Sequence, residues 1–97
     1  MKYKAEVTYN RRVVLEDYYR SLTHPNQAVK KIVSKMKTKP DFFVIYVINE
    51  EGDYWRYRIR IRKDGKFYVD KMEKSNFMKN QNDVALIFSG NATVSGY

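Results

Sequence analysis

The sequence predicts an α+β fold: a single helix packed on one face of a mainly antiparallel sheet, in the order ββαβββ(β). Three observations carry it. Residues 3–9 and 54–62 alternate apolar and polar side chains with the period of a strand. Val29, Ile32, Val33 and Met36 fall at i, i+3, i+4 and i+7, the stripe of a core-facing amphipathic helix. Gly52 and Gly65 punctuate three successive apolar runs after Pro40, as hairpin turns do.

Taken in order, Tyr3, Ala5, Val7 and Tyr9 alternate with Lys2, Lys4, Glu6 and Thr8, which makes a half-buried first strand. Asn10-Arg11-Arg12 turns the chain. Val13 to Leu22 fits strand and helix spacing alike. Its paired valines and tyrosines after a short turn favour the second arm of a hairpin. Pro25 suits the first turn of the helix, with Thr23, His24 or Asn26 as its cap, and Pro40 stops it. Three strands are expected next, at Phe42–Asn49, Tyr54–Arg62 and Lys66–Met72.

Register follows from which residues must share a face. A turn centred on Glu51-Gly52 that pairs Asn49 with Tyr54 sets Phe42, Val44, Tyr46 and Ile48 beside Ile61, Ile59, Tyr57 and Trp55. Phe43, Ile45 and Val47 then lie with the arginines. A three-residue Lys63-Asp64-Gly65 loop, with Gly65 left-handed, pairs Ile61 with Phe67 and Ile59 with Val69. It also sets Arg60 across from Tyr68 and Arg58 across from Asp70. A polar stretch from Lys74 to Asp83 leads to a further strand at Val84–Phe88, and the tail 89–97 is expected to fray. The 97 residues form one domain, with no repeat or linker.

Charge points towards a partner. Nineteen basic residues against eleven acidic give +8, which favours a polyanion such as nucleic acid, or an acidic protein or nucleoprotein. The charge concentrates in Tyr54-Trp55-Arg56-Tyr57-Arg58-Ile59-Arg60-Ile61-Arg62, where a strand presents Arg56, Arg58, Arg60 and Arg62 on one face. Four like charges side by side repel one another, so stability gives little reason for them. Arginine on phosphates and flat rings under unpaired bases suit nucleic acid. The candidate contact residues are Arg56, Arg58, Arg60, Arg62, Tyr68, Phe43 and Lys66, with Lys30, Lys31 and Lys35 of the helix extending the footprint. Set against this, the face could be covered by the N-terminal hairpin or a second subunit, the lysines could form a plain solvated helix face, and Trp55 and Tyr57 belong in the core.

Catalysis has little support. The chain has no cysteine, hence no disulfide or thiolate metal site, and His24 is its one histidine. Glu50, Glu51 and Asp53 crowd a turn that could hold a hard cation, though acidic turns are common. Asp70 and Glu73 lack the spacing of a nuclease centre. No Gly-rich phosphate loop or serine elbow occurs. The expectation is a non-enzymatic binding module with no cofactor and no metal. The alternative is a protein-binding inhibitor or adaptor, such as a phage-encoded antagonist of a host defence (anti-CRISPR-like) nucleoprotein complex. No stretch reads as a signal peptide or membrane span, so a cytoplasmic setting is expected, and the Asn91-Ala92-Thr93 sequon carries no weight. A homodimer through the Val84–Phe88 edge is left open.

Overall fold

In the computed structural model, residues 1–75 and Phe88 are described. Alternation folds the opening segment into β1 (Tyr3–Tyr9), which pairs antiparallel with β2 (Arg12–Tyr19). The turn between them is tight, since Tyr9 pairs with Arg12 and only Asn10 and Arg11 intervene. Both have positive φ, 52° and 62°, the pattern of a type I′ hairpin, whose twist matches that of the flanking strands. The ambiguous segment is thus a strand as far as Tyr19. Val7 pairs with Leu15 and Thr8 with Val13, which leaves Val14 as an extra, bulged residue.

Helix α1 spans Pro25–Lys35 with Pro25 in its first turn. His24 is the cap: its Nδ1 accepts from the Asn26 N–H at 3.1 Å, and Gln27 Oε1 accepts from the His24 N–H at 3.0 Å. This is a capping box built on histidine, and it satisfies donors that the first turn leaves unpaired. The helix ends at Lys35, short of Pro40; Met36 is already extended, and its N–H bonds Val33 O. All four residues of the sequence stripe are nevertheless buried.

Three strands follow: β3 (Phe42–Asn49), β4 (Tyr54–Ile61) and β5 (Phe67–Ser75). The antiparallel sheet has the order β2-β1-β3-β4-β5, so β1 and β3 are neighbours and the helix crosses between β2 and β3. It packs on β1, β3 and β2, all on one side. Tyr3, Ala5, Val7, Phe43, Ile45, Val47, Trp55, Tyr57 and Ile59 meet Val29, Ile32 and Val33 there. Tyr57 also reaches the helix start, donating to Asn26 Oδ1 at 2.6 Å. The N-terminal hairpin extends the sheet and does not cover it.

The β3–β4 register corrects the sequence reading. Phe43 pairs with Ile59, Ile45 with Tyr57 and Val47 with Trp55, so Phe43, Ile45 and Val47 are core residues. Phe42, Val44 and Tyr46 pair with Arg60, Arg58 and Arg56 instead. The cause is Asn49, only 3% exposed. Its N–H bonds Asp53 O, and its Oδ1 accepts from the N–H groups of Glu51 and Asp53 at 3.0 and 2.9 Å. The loop is therefore Glu50-Glu51-Gly52, with Gly52 left-handed at φ 89°. A shift of one residue turns every side chain to the other face.

The β4–β5 hairpin closes through Lys63-Asp64-Gly65 with Gly65 at φ 86°, and Ile61, Ile59 and Arg60 pair with Phe67, Val69 and Tyr68 as the sequence indicates. Beyond Ile59 the register shifts: Arg58 pairs with Lys71, Asp70 is the extra residue, and β5 runs on to Ser75. The expected strand at Val84–Phe88 and the tail 89–97 lie outside the described residues, apart from Phe88, whose backbone is helical. Among the described residues no helix is long and apolar enough to cross a membrane.

Candidate nucleic-acid interface

The face of the sheet away from the helix is built by the alternate residues of each strand. β4 gives Tyr54, Arg56, Arg58 and Arg60. β3 sets Ile48, Tyr46, Val44 and Phe42 directly across from them. All four β3 residues are half-buried. The guanidinium of Arg60 lies 5.0 Å and that of Arg58 5.8 Å from the Phe42 ring centre. Tyr46 and Tyr54 stack at 5.6 Å with their planes 29° apart. Burial, and next the neighbouring Tyr46, raise the Tyr54 phenol above its ordinary pKa. Hydrogen bonding with Tyr46 raises Arg56 and keeps it charged. Rings and guanidiniums thus alternate over a single layer, as cation–π contact favours.

The ladder is partly neutralised. One Asp70 oxygen lies 3.6 Å from Arg58 and 3.4 Å from Arg60, because the bulge brings this carboxylate between them. The sequence pairs Asp70 with Arg58 alone and leaves Arg60 clear; the structure ties both. These contacts are long and the side chains are a third to nearly half exposed, so each adds little to stability. Further across, Lys4 bridges Glu6 at 2.7 Å and lies over the Tyr18 ring. Tyr18 is buried on this face, and Phe88 meets it edge-on at 6.2 Å.

Arg62 lies just past β4 with its guanidinium 5.1 Å from the exposed Tyr68 ring, and Lys66 is exposed in the adjoining hairpin. Phe43 is removed from the candidate set, being 1% exposed under the helix; Phe42 takes its place. Lys30 and Lys31 are exposed on the helix, across the sheet from the arginines, so they do not extend the same surface. Lys35 is committed to the ion pair with buried Asp17 and lies over the Tyr19 ring. Asp17 also accepts the Tyr18 N–H, which ties β2 to the end of the helix. In the acidic turn, Glu50 accepts the Lys2 N–H and Asp53 meets the Asn49 amide. Among the described residues no group of His, Cys, Asp and Glu could hold a metal ion.

Sequence reasoning missed Phe42 and Tyr46, because the register placed β3 the other way up, and it passed over Tyr54, which shares the arginine face of β4. It also missed a groove of about 520 Å³ at one corner of this face, between the β1–β2 turn and the start of β3. Thr8, Tyr9, Asn10 and Arg11 form one wall, and Phe42, Val44, Tyr46 and Arg56 line the other. No family model matches the chain, and comparison with curated proteins and with solved structures gave no match.

Proposed function

We propose that the chain is a non-enzymatic module that binds nucleic acid on the face of its sheet away from the helix. One observation carries this reading: Arg56, Arg58 and Arg60 stand in line on that face, each directly across from a half-buried apolar or aromatic residue of β3. Arginines grip phosphates bidentately and rings accept bases, so the two rows supply both halves of a polynucleotide site. The rest of the chain's chemistry agrees with binding rather than turnover. His24 is used as a helix cap, and Asp70 is held between two guanidiniums.

A second reading, docking on an acidic protein, is favoured by β5. This strand lies at one edge of the sheet and exposes Tyr68, Val69 and Met72, and an edge strand can accept a partner strand. A phage-encoded inhibitor of a nucleoprotein complex would belong to this class.

Salt dependence separates the two. With about four phosphate contacts, binding to an oligonucleotide should weaken with a log–log salt slope of about −3 to −4. Arg58→Ala with Arg60→Ala should flatten it by about two units with the fold intact. Asp70→Asn, which releases both guanidiniums, should tighten binding. Failure to bind any oligonucleotide near physiological salt, or an unchanged slope in the double variant, would overturn the nucleic-acid reading. Pull-down with and without nuclease would then identify the protein partner.

A further inference from the structure

The β1–β2 turn contains an unexplained cost. A two-residue hairpin of this type needs positive φ at both positions, and Asn-Gly meets that need with least strain. Here the second position is Arg11, at φ 62°. A side chain in this region costs about 1–2 kcal/mol where glycine costs nothing comparable. Arg11 makes up none of the core and is exposed. What it does is line the 520 Å³ groove, with Arg56 on the far wall. Backbone strain of this kind accumulates where a side chain is needed for function.

The groove differs from the face around it in charge. Asp70, Glu73, Glu6 and Glu16 are interspersed with the cations on the sheet surface. The groove lining, by contrast, holds two arginines, four aromatic residues and no carboxylate. Phe42 and Tyr46 give it flat apolar walls, and its volume falls in the range of sites that hold a small ligand.

We infer that this corner seats one unstacked base of a single-stranded nucleic acid, with Arg11 and Arg56 on the phosphates that flank it. The inference rests on the nucleic-acid reading above and names the form of the ligand. A duplex keeps its bases stacked inside and presents only backbone to such a corner. A single strand can turn a base down between rings and leave its phosphates at the rim.

The test uses a fluorescent thymidine oligomer of roughly ten nucleotides, an abasic oligomer of the same length and charge, and the matched duplex. The thymidine strand should bind about tenfold or more tightly than the abasic one, and more tightly than the duplex. Phe42→Leu, which keeps apolar bulk without a ring, should remove most of the preference for thymidine over abasic strand. Arg11→Gly relieves the turn, so it should raise the melting temperature while weakening the thymidine complex several-fold. A merely structural Arg11 would give the first effect alone. Equal binding of abasic and thymidine strands, a preference for duplex, or Arg11→Gly with unchanged affinity would overturn the groove assignment and leave the arginine face standing. Absence of binding to all three probes would overturn both.

Discussion

Val44 and Ile45 are chain neighbours with opposite surroundings. Ile45 is fully buried between sheet and helix, packed among Tyr57, Val7 and Ile32, while Val44 is half-exposed across from Arg58. The same contrast runs along β4, where Trp55, Tyr57 and Ile59 are core residues and the arginines between them face outward. One face of the sheet is where removal of water stabilises the fold. The other bears repelling charges, a shared carboxylate and a strained turn at its corner, none of which the core requires. Changes on the helix face should therefore appear as lost stability, and changes on the arginine face as altered binding.

The sharpest way to break this comparison is a pair of truncations one residue apart. Ile45→Ala should destabilise by about 2–5 kcal/mol, by lost burial and the cavity left behind. Val44→Ala should cost about 1 kcal/mol or less, because its site is open on one side. Denaturant melts of the two variants decide it, and reversed magnitudes would mean that the β3–β4 register is the one the sequence suggests.

Next in size is a dependence on alkaline pH centred on Tyr57 of the helix face. Burial, helped by the nearby Tyr3, pushes the Tyr57 phenol up to about 12. Unfolded tyrosine ionises near about 10. The folded state therefore keeps a proton that the unfolded chain loses, so the stabilisation is complete below about pH 10 and falls away as pH rises towards 12. The loss from Tyr57 should reach about 2–3 kcal/mol. Tyr3 and Tyr19, also raised by burial first, act in the same direction. Melts across this range, read beside tyrosinate absorbance, should show unfolding and ionisation together. Tyr57→Phe should reduce the slope.

The smallest effect sharpens the comparison at the hairpin joining β4 to β5. A side-chain carbon at Gly65 would meet no atom within 4 Å, so any penalty there comes from the backbone at φ 86° alone. Gly65→Val should cost about 1–2 kcal/mol, and Gly65→Asn much less. Equal stability of wild type and Gly65→Val would show that the loop can close without a left-handed residue.

These two hairpins show how far the sequence could be read. The β4–β5 register was legible because Trp55 to Arg62 alternates strictly, so only one loop length kept both faces consistent. Phe42 to Ile48 is apolar at every position. A strand with two apolar faces carries no period-two signal, and its register rested on the turn. The missed cue was a parallel: Glu50-Glu51-Gly52 has the same acid-then-glycine ending as Lys63-Asp64-Gly65, and Asn49 ahead of it could bond the loop backbone. The helix stripe and its proline start were plain, whereas the second arm of the opening hairpin was less so, since Val13 to Leu22 fits strand and helix spacing alike. The groove was not, since it joins a turn at residue 11 to strands beyond residue 42 through the pairing of β1 with β3. Sequence periodicity does not encode that pairing. The Asp70 bulge was hidden for a similar reason, because alternation alone gives no sign of an extra residue.

Asn49 has a consequence beyond its hydrogen bonds. By clasping Glu51 and Asp53 it fixes how many residues the β3–β4 loop contains, while Glu51 is exposed and serves mainly as a spacer beside Glu50, which holds the Lys2 N–H. The side chain of Glu51 is open to change, but the number of residues in the loop is not. One residue more, with the strands otherwise paired as before, would direct the guanidiniums of β4 at the helix and hand Trp55 and Tyr57 to water. Such a chain would keep the same composition of β4 and lose both core and binding face at once. At this loop, then, inheritance should tolerate substitution at Glu51, hold Asn49 and the left-handed Gly52, and reject insertion or deletion.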